Sequence, residues 1–241
     1  MAGPRARTLG ERLASLDWRR AARDLDELGH TRLPGLLTAA ECRALDALYT
    51  RDERFRSTVA MEPRRFGAGE YRYFAYPLPP LVAELRESLY PPLARIANRW
   101  LAALGSPVRY PAELGRFLAR CHRQGQGRPT PLLLRYGPGG FNCMHQDVYG
   151  PLAFPLQVAF LLSRPEADFS GGEFVLLEQR PRQQSRAEAL ALRRGEAVVF
   201  PNQLRPARGA RGVVRAQVRH GVSRVRSGQR TALGVIFHDA K

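Results

Sequence analysis

The chain has 241 residues, of which 44% are hydrophobic and 25% are charged, a balance that is ordinary for a soluble globular protein. This length suits one large domain with its own core, and neither a membrane-spanning run nor the apolar stretch of a signal peptide is recognisable. Three cysteines without a CxxC pair exclude a disulfide framework and a zinc finger, so we expect a cytoplasmic protein with no membrane contact.

Positive charge dominates the chain, because 38 Lys and Arg against 22 Asp and Glu give a formal net charge of +16. Lys241 is the only lysine, and a GC-rich genome produces such an arginine- and alanine-rich composition without any function. The charge is nevertheless concentrated, since the segment Arg180–Arg230 carries thirteen arginines and two acids, a net of +11. This segment is either a contact with DNA or RNA or a solvated basic surface.

The N-terminal segment has the pattern of two helices with a short strand between them. Apolar residues recur at helical spacing over 9–28, with charges between them. Residues 30–37 follow as a short strand and a turn. Thr38, with Glu41 three residues later, forms a capping box that predicts the start of the second helix, which we expect to reach about Tyr49.

The next part of the chain alternates between irregular and helical patterns. Residues 51–77 are rich in arginine and aromatic side chains, which predicts a long functional or mobile loop. Its aromatic residues could stack on a base or simply pack over the mouth of a barrel. Helical periodicity returns over 79–104, but Pro91-Pro92 predicts that one helix ends there and another begins. A further short helix is expected over 113–124.

After residue 131 the pattern changes to short apolar or alternating runs separated by turn residues. Such runs indicate antiparallel strands of a sandwich or barrel. Neither an internal repeat nor a linker divides the chain. The sequence therefore predicts one domain over 1–241, α+β but mainly β. Residues 1–130 are a mainly helical support with substrate-side loops, and residues 131–241 are a β-barrel core.

A candidate metal site begins in the stretch NCMHQDVYG. In a strand, Cys143, His145 and Asp147 share one face, although such a pair of a histidine and an aspartate often arises by chance. A second histidine, His220, ends a later strand-like run, and two histidines with one carboxylate form the facial triad that binds Fe(II) and leaves three positions open. Ten residues further on, Arg230 could bind a distal carboxylate through both guanidinium nitrogens. We expect Cys143 to be a small buried residue and not a ligand.

These residues carry a resemblance to a known class of enzymes. The segments RYGPGGFNCMHQD and HGVSRVRSGQRTALGVIF resemble the Fe(II)/2-oxoglutarate-dependent dioxygenases. RYGPG followed by HQD is similar to the AlkB-type nucleic-acid demethylases, whereas HGVSRVRSGQR is similar to the prolyl-hydroxylase branch. The strongest resemblance is to a bacterial AlkB-like family of oxygenases that catalyse oxidative demethylation of damaged DNA, through HQDVYG, FPLQVAFLLS, FSGGEFVLLEQRPR and RHGVSRVRSGQR. It covers the chain from about Leu132 to the C-terminus.

The resemblance implies a double-stranded β-helix (jelly-roll) barrel buttressed by the N-terminal helices. It also implies Fe(II), 2-oxoglutarate as co-substrate and O2. His145, Asp147 and His220 would be the catalytic iron ligands, and Arg230 would bind the C5 carboxylate of 2-oxoglutarate. Tyr136 matches a tyrosine that hydrogen-bonds the co-substrate in related enzymes, or it packs at the barrel mouth.

Three functions stay open at this point. The first is oxidative demethylation of alkylated DNA or RNA bases, in which decarboxylation of 2-oxoglutarate is coupled to hydroxylation of an N-methyl group. The second is hydroxylation of a protein side chain, as by prolyl hydroxylases, or of a small molecule. The third is a non-catalytic basic domain that binds nucleic acid, which would make the triad and Arg230 a coincidence.

Overall fold

Antiparallel β-structure dominates the second half of the chain. The structure is a computed structural model that describes residues 7–210 and 212–241. Within these ranges the helices are α1 (Leu9–Ala14), α2 (Trp18–Glu27), α3 (Ala39–Ala47), α4 (Pro80–Ala103) and α5 (Leu114–Arg123), with short 3-10 helices at Leu48–Thr50, Asp52–Arg54 and Glu62–Arg64. No helix in the described ranges is long and apolar enough to cross a membrane.

Short strands make up most of the remainder. In chain order they are β1 (Thr31–Leu33), β2 (Phe55–Ala60), β3 (Gly67–Ala68), β4 (Glu70–Phe74), β5 (Leu132–Tyr136), β6 (Phe141–His145), β7 (Leu156–Leu161), β8 (Phe169–Gly171), β9 (Phe174–Gln179), β10 (Arg186–Leu190), β11 (Ala197–Pro201), β12 (Leu204–Gly209), β13 (Gly212–Val222), β14 (Val225–Gly228) and β15 (Arg230–Val235).

The strands of the described chain form two large sheets. A seven-stranded sheet has the order β1-β11-β7-β15-β5-β4-β2. A six-stranded sheet has the order β10-β9-β13-β6-β3, with β12 also paired to β13, and β8 and β14 pair with each other. All pairings between these strands are antiparallel. The predicted mainly β, α+β architecture is therefore observed.

Apolar burial attaches the helices to the larger sheet and the two sheets to each other. The first cluster contains residues from α1 to α5 and from the seven-stranded sheet, among them Leu25, Leu45, Leu93, Leu133 and Phe160. A second cluster draws on both sheets, with Leu161 and Phe200 from one and Phe174 and Val218 from the other. Removal of this apolar surface from water is the main stabilising contribution to the fold.

The N-terminal helices differ in detail from the prediction over 9–28. The chain forms two helices there, because Ser15 ends α1 and Asp17 begins α2 by accepting a hydrogen bond from the backbone N–H of Arg20. Side chains such as Ser and Asp bond to the local backbone and so favour helix ends over helix interiors. The capping box of Thr38 and Glu41 at the start of α3 is confirmed, with both reciprocal hydrogen bonds present.

The predicted break at Pro91-Pro92 is wrong, since α4 continues through both prolines. Proline removes the hydrogen bonds to the carbonyls four residues earlier. Those carbonyls belong to Glu87 and Ser88, which are exposed, so water can hydrogen-bond to them. The next residue, Leu89, is fully buried, and packing of the flanking apolar face holds the helix together.

The segment 51–77 is also more regular than predicted, because it contributes β2 and β4 to the edge of the larger sheet and β3 to the smaller one. The arginines of these strands, which made the segment look irregular in the sequence, pack against aromatic rings. The guanidinium of Arg56 lies 4.5 Å from the ring centre of Tyr73, and that of Arg72 lies 4.8 Å from the ring centre of Tyr49. Arginine combines a long apolar stem with a cation that is attracted to aromatic faces.

A buried ion pair joins α4 to the end of the barrel. Arg86 donates to Asp239 at 2.7 Å and to the carbonyls of Ile236 and Phe237 at 2.9 and 3.0 Å. The side chains of Arg86 and Asp239 are 2% and 0% exposed, so neither charge has access to water as a substitute partner.

We expect Arg86→Ala to lower the free energy of unfolding by about 3–5 kcal/mol, because it removes the buried cation of the pair and leaves Tyr76 and His122 as the remaining side-chain partners of Asp239 in the described chain. Urea denaturation followed by circular dichroism measures the effect. Arg95→Ala is the matched control, because Arg95 lies on an exposed position of the same helix. Equal losses of stability in the two variants would contradict this role of the buried pair.

Candidate metal centre and its cavity

Two neighbouring strands bring the two predicted histidine ligands together. β6 and β13 pair antiparallel, and His145 stands directly opposite His220 in their register. The ladder is irregular immediately beyond this pair, between His220 and Val222. Asp147 does not lie in the strand as predicted, because β6 ends at His145. The backbone beyond that residue is irregular, and the carboxylate of Asp147 lies beside both imidazoles.

The three side chains converge on one point. Nε2 of His220 lies 3.2 Å from Oδ2 of Asp147, and Nε2 of His145 lies 3.6 Å from Oδ1. The centres of the imidazole rings are 4.2 Å apart. One ligand atom from each residue lies within 4.8 Å of the others, so the group could hold a metal ion. Two histidines and one carboxylate in such an arrangement are typical of non-haem Fe(II) sites.

The surroundings favour the protonation states that bind metals. Burial lowers the pKa of His220 and the neighbouring His145 lowers it further, although Asp147 acts in the opposite direction. Burial acts to raise the pKa of Asp147, but hydrogen bonds and charges from His220, His145 and Tyr149 outweigh it, so this pKa lies below its usual range. A neutral imidazole and an ionised carboxylate are the forms that coordinate a cation.

Other groups orient the candidate ligands. Nδ1 of His145 lies 2.8 Å from the carbonyl oxygen of Cys143, a contact that favours the tautomer with a free lone pair on Nε2. Tyr149 donates a hydrogen bond of 2.6 Å to Oδ1 of Asp147, which leaves Oδ2 directed at His220. The imidazole of His220 lies against the rings of Phe174 and Phe200. Such contacts restrict the ligands to one orientation.

The candidate ligands face a cavity of about 390 Å³. Both sheets contribute to its wall, which includes Leu134, Val158, Phe174 and Phe200 as apolar residues. The polar lining consists of the three candidate ligands together with Arg65, Tyr71, Tyr73, Tyr136, Asn142, Gln146, Tyr149, Gln157 and Arg230. A mostly apolar pocket with a few convergent polar groups is the usual form of a small-molecule site.

Arg230 is a buried cation without an acidic partner in the described chain. It pairs with Tyr136 across β15 and β5, and its side chain lines the cavity although the residue is only 3% exposed. Its buried Nε has no hydrogen-bond partner. Burial lowers the pKa of Arg230, with Tyr136 and Glu173 acting to raise it, but a guanidinium stays protonated at any ordinary pH. A buried charge without an ion-pair partner is unfavourable, so an anion bound beside Arg230 would stabilise the site.

Tyr136 lies beside this cation at the inner end of the cavity. It is fully buried, its ring centre is 5.7 Å from the guanidinium carbon of Arg230, and its hydroxyl accepts a hydrogen bond of 3.4 Å from Asn142. Burial raises the pKa of Tyr136 to about 12, so its hydroxyl remains a donor at neutral pH. An anion held by Arg230 would therefore find a second donor within the same cavity.

The other residues considered from sequence have different environments. Cys143 is exposed, so the expectation of a buried residue is wrong. The reason is that β6 is only partly covered by the rest of the protein, so none of its five residues is fully buried. Gln157 lines the cavity, with its Nε2 3.5 Å from Nε2 of His220. Among the described arginines of Arg180–Arg230, only Arg230 lines the cavity, and Arg205 is buried against Glu178.

Tyr149 and Arg65 were missed by sequence reasoning, whereas Phe66 is one of the aromatic residues of 51–77 that were expected to stack on a base or pack over the mouth of a barrel. Tyr149 follows the candidate ligand by two residues, but no spacing rule links it to the carboxylate. Arg65 and Phe66 lie in the segment that was predicted to be a loop. Their aromatic and basic character was visible in the sequence, whereas their position at the cavity depends on the pairing of β3 with β6.

Comparison with known proteins identifies related sequences. Residues 69–240 match the model of the Oxygenase-NA family, described as "Oxygenase, catalysing oxidative methylation of damaged DNA". An uncharacterized protein of Mycobacterium tuberculosis is 50% identical over 167 residues, which cover 69% of this chain and 72% of that protein.

Solved structures resemble the fold at low sequence identity. An oxidoreductase of the 2OG-Fe(II) oxygenase family from Burkholderia pseudomallei has a TM-score of 0.56 at 19% identity, over 92% of this chain and 90% of that one. A prolyl hydroxylase from Trichoplax adhaerens, in complex with a hypoxia inducible factor peptide fragment, has a TM-score of 0.52 at 13% identity, over 98% and 94% of the chains. These likenesses confirm the predicted double-stranded β-helix.

We expect Tyr149→Phe to weaken metal binding by about 10- to 100-fold, because loss of its hydrogen bond frees the carboxylate of Asp147 to rotate. Calorimetric titration of the metal-free protein with Co(II), under reducing conditions, measures the affinity. Tyr71→Phe is the matched control, since this tyrosine also lines the cavity but makes no hydrogen bond to a candidate ligand. Unchanged Co(II) affinity in Tyr149→Phe would contradict the orienting role.

Proposed function

Because the chain belongs to the Oxygenase-NA family, we propose that it is an Fe(II)- and 2-oxoglutarate-dependent dioxygenase that removes N-methyl groups from alkylated bases of DNA or RNA. The observation that carries this proposal is the placement of the cluster of His145, Asp147 and His220 in one cavity with the unpaired cation Arg230. A cation site and an anion site that open on the same cavity suit a chelating oxo-acid with a distal carboxylate.

The residues present fit this cofactor and co-substrate. His145, Asp147 and His220 would hold Fe(II), and Arg230 would hold the C5 carboxylate of 2-oxoglutarate with Tyr136 as a second donor. Bound together, iron, 2-oxoglutarate and O2 supply an oxidation in which succinate and CO2 form and one oxygen atom enters a C–H bond of the substrate. An N-hydroxymethyl product on a base then releases formaldehyde and leaves the unmethylated base.

The chain itself supplies charge, orientation and exclusion of water. Arg230 neutralises the distal carboxylate in a buried position, where the interaction is stronger than in water. Tyr149 orients the carboxylate of Asp147, and the apolar wall formed by Phe174 and Phe200 keeps solvent away from the reacting carbon. A base of duplex DNA would have to leave the stack to reach the cavity, so single strands are favoured substrates.

The basic segment Arg180–Arg230 supports a polyanionic substrate only in part. Arg205 and Arg230 are buried and therefore serve the fold and the cavity. Arg215, Arg219 and Arg226 are exposed and remain available for phosphate contacts. The proposed location is the cytoplasm, where a base-repair enzyme meets its substrate, and the unpaired thiols of all three cysteines suit a reducing compartment.

Hydroxylation of a protein side chain is the second candidate. It is favoured by the ten-residue offset between His220 and Arg230, which is also found in the prolyl-hydroxylase branch. The fold likeness includes a prolyl-4-hydroxylase from Pseudomonas putida, with a TM-score of 0.50 at 16% identity over 92% of this chain and all of that one. At that identity the likeness extends to the fold alone, whereas the family match concerns this sequence directly.

A coupled assay tests the proposed function. With Fe(II), 2-oxoglutarate and a single-stranded oligonucleotide that carries an N-methylated base, we expect formaldehyde and succinate in equal amounts, and neither from His145→Ala. Mass spectrometry of the oligonucleotide shows the loss of the methyl group. Succinate together with oxygen incorporation into peptides, but without formaldehyde, would replace the proposal with the second candidate.

Arg230→Met should raise the KM for 2-oxoglutarate by about 30-fold or more. Loss of the buried cation that pairs with the carboxylate removes about 2 kcal/mol or more of binding free energy. Steady-state succinate formation at varied 2-oxoglutarate measures this change. Arg224→Met removes the same charge from an exposed nearby position and is the control. A KM in Arg230→Met equal to that of the control would remove Arg230 from the co-substrate site.

A further inference from the structure

The turn between β2 and β3 forms an exposed lip of the cavity. Arg64, Arg65 and Phe66 in this turn are all exposed, and Arg65 and Phe66 line the cavity. Phe66 is 47% exposed, so its ring is accessible to a ligand at the mouth of the cavity. In the described chain, neither Arg64 nor Arg65 is in an ion pair. Arg64 donates a hydrogen bond of 3.3 Å to the carbonyl of Ala60, and its other N–H groups and those of Arg65 are available to an anion.

The backbone holds this turn directly against the strand that carries His145. The carbonyl of Phe66 accepts a hydrogen bond of 2.8 Å from the N–H of Cys143, and Gly67 pairs with Asn142. Gly67 has a φ of 143°, and a Cβ there would lie 2.3 Å from the carbonyl oxygen of Phe141, so only glycine permits this approach. Phe66 is therefore held beside Cys143, about 7 Å along the strand from His145.

The charges of the turn face the same opening. Arg65 has a left-handed backbone with a φ of 59°, a conformation that is uncommon for arginine and that occurs at ligand-binding segments. Arg64 is close enough to Tyr71, a residue of the cavity wall, for its charge to lower the pKa of that tyrosine against the effect of burial. The single acid of the turn, Glu62, accepts a hydrogen bond of 3.1 Å from the N–H of Gly69.

We propose that Arg64, Arg65 and Phe66 form a strand-binding lip for single-stranded nucleic acid, in which Phe66 stacks on a base beside the one in the cavity and the two arginines bind phosphates. This inference rests on the proposed function and names the surface that presents the substrate. An aromatic face next to two unpaired guanidinium groups is the combination that binds single strands without sequence preference. Each phosphate contact also displaces counterions, which makes the affinity depend on salt.

The charge contribution is tested by the double variant Arg64→Ala/Arg65→Ala. Fluorescence anisotropy with a methylated single-stranded oligonucleotide gives the affinity as a function of NaCl concentration. Each phosphate contact on a single strand contributes about 0.7 to the slope of log affinity against log salt. Loss of two contacts should therefore make this slope about 1.4 less steep. The control Arg19→Ala/Arg23→Ala removes the same charge from exposed positions of α2 outside the cavity and should leave the slope unchanged.

The stacking contribution is tested at Phe66. Phe66→Ala should weaken binding by about 5- to 150-fold, the range for loss of one base–aromatic contact, and Phe66→Tyr should retain most of the affinity. Val108→Ala shortens another exposed apolar side chain, outside the cavity, and should have no effect. Thermal unfolding shows that each variant is folded, which is expected because the ring of Phe66 is half exposed.

The outcomes separate this inference from the proposed function. If the wild-type protein releases formaldehyde from the oligonucleotide but the lip variants bind like their controls, the proposed role of the lip is wrong and the proposed function is retained. If the wild-type protein neither binds nor demethylates the oligonucleotide, both are wrong. If the lip variants lose binding of an acidic peptide and not of the oligonucleotide, the surface serves a protein substrate and the inference is overturned.

Discussion

The candidate site depends on the register between β6 and β13, which places His145 opposite His220. Side chains alternate between the two faces of a strand, so a slip of one residue would direct one imidazole into solvent. The neighbouring pairing of β13 with β9 places Phe174 opposite Val222 with its ring against His220, and β3, with the lip, pairs with the other side of β6. Both histidines, the ring of Phe174 and the exposed rim are therefore held by consecutive strand pairings within one sheet.

Arg230 shows how a binding site can oppose stability. A guanidinium that is 3% exposed and lacks an acidic partner in the described chain raises the free energy of the empty protein. The fold tolerates this charge because Tyr136 lies beside it and because burial elsewhere is extensive. A carboxylate that entered the cavity would relieve this unfavourable interaction, which is why we propose Arg230 as the contact for the distal carboxylate of the co-substrate.

The high arginine content has more than one physical meaning. Arg86 and Arg205 are buried ion-pair partners, whereas Arg56 and Arg72 cover aromatic rings of the edge strands. Net charge alone therefore overstates the surface available to a polyanion. Arg65, the exposed arginine that lines the cavity, comes from the turn before β3 and not from the segment with the highest charge density.

The sequence by itself determined the β-rich second half, the capped helix at Thr38 and the residue types of the metal and anion sites, because periodicity, capping and ligand chemistry are local properties. It misjudged Pro91-Pro92 and 51–77, since buried contacts on α4 and cation–aromatic packing on β2 and β4 outweigh local preference. Only the tertiary structure decided that Asp147 lies in irregular backbone beyond the end of its strand, that Tyr149 orients it, and that Phe66 lies at the mouth. These features arise from contacts between residues distant in sequence or in irregular backbone, which no local pattern encodes.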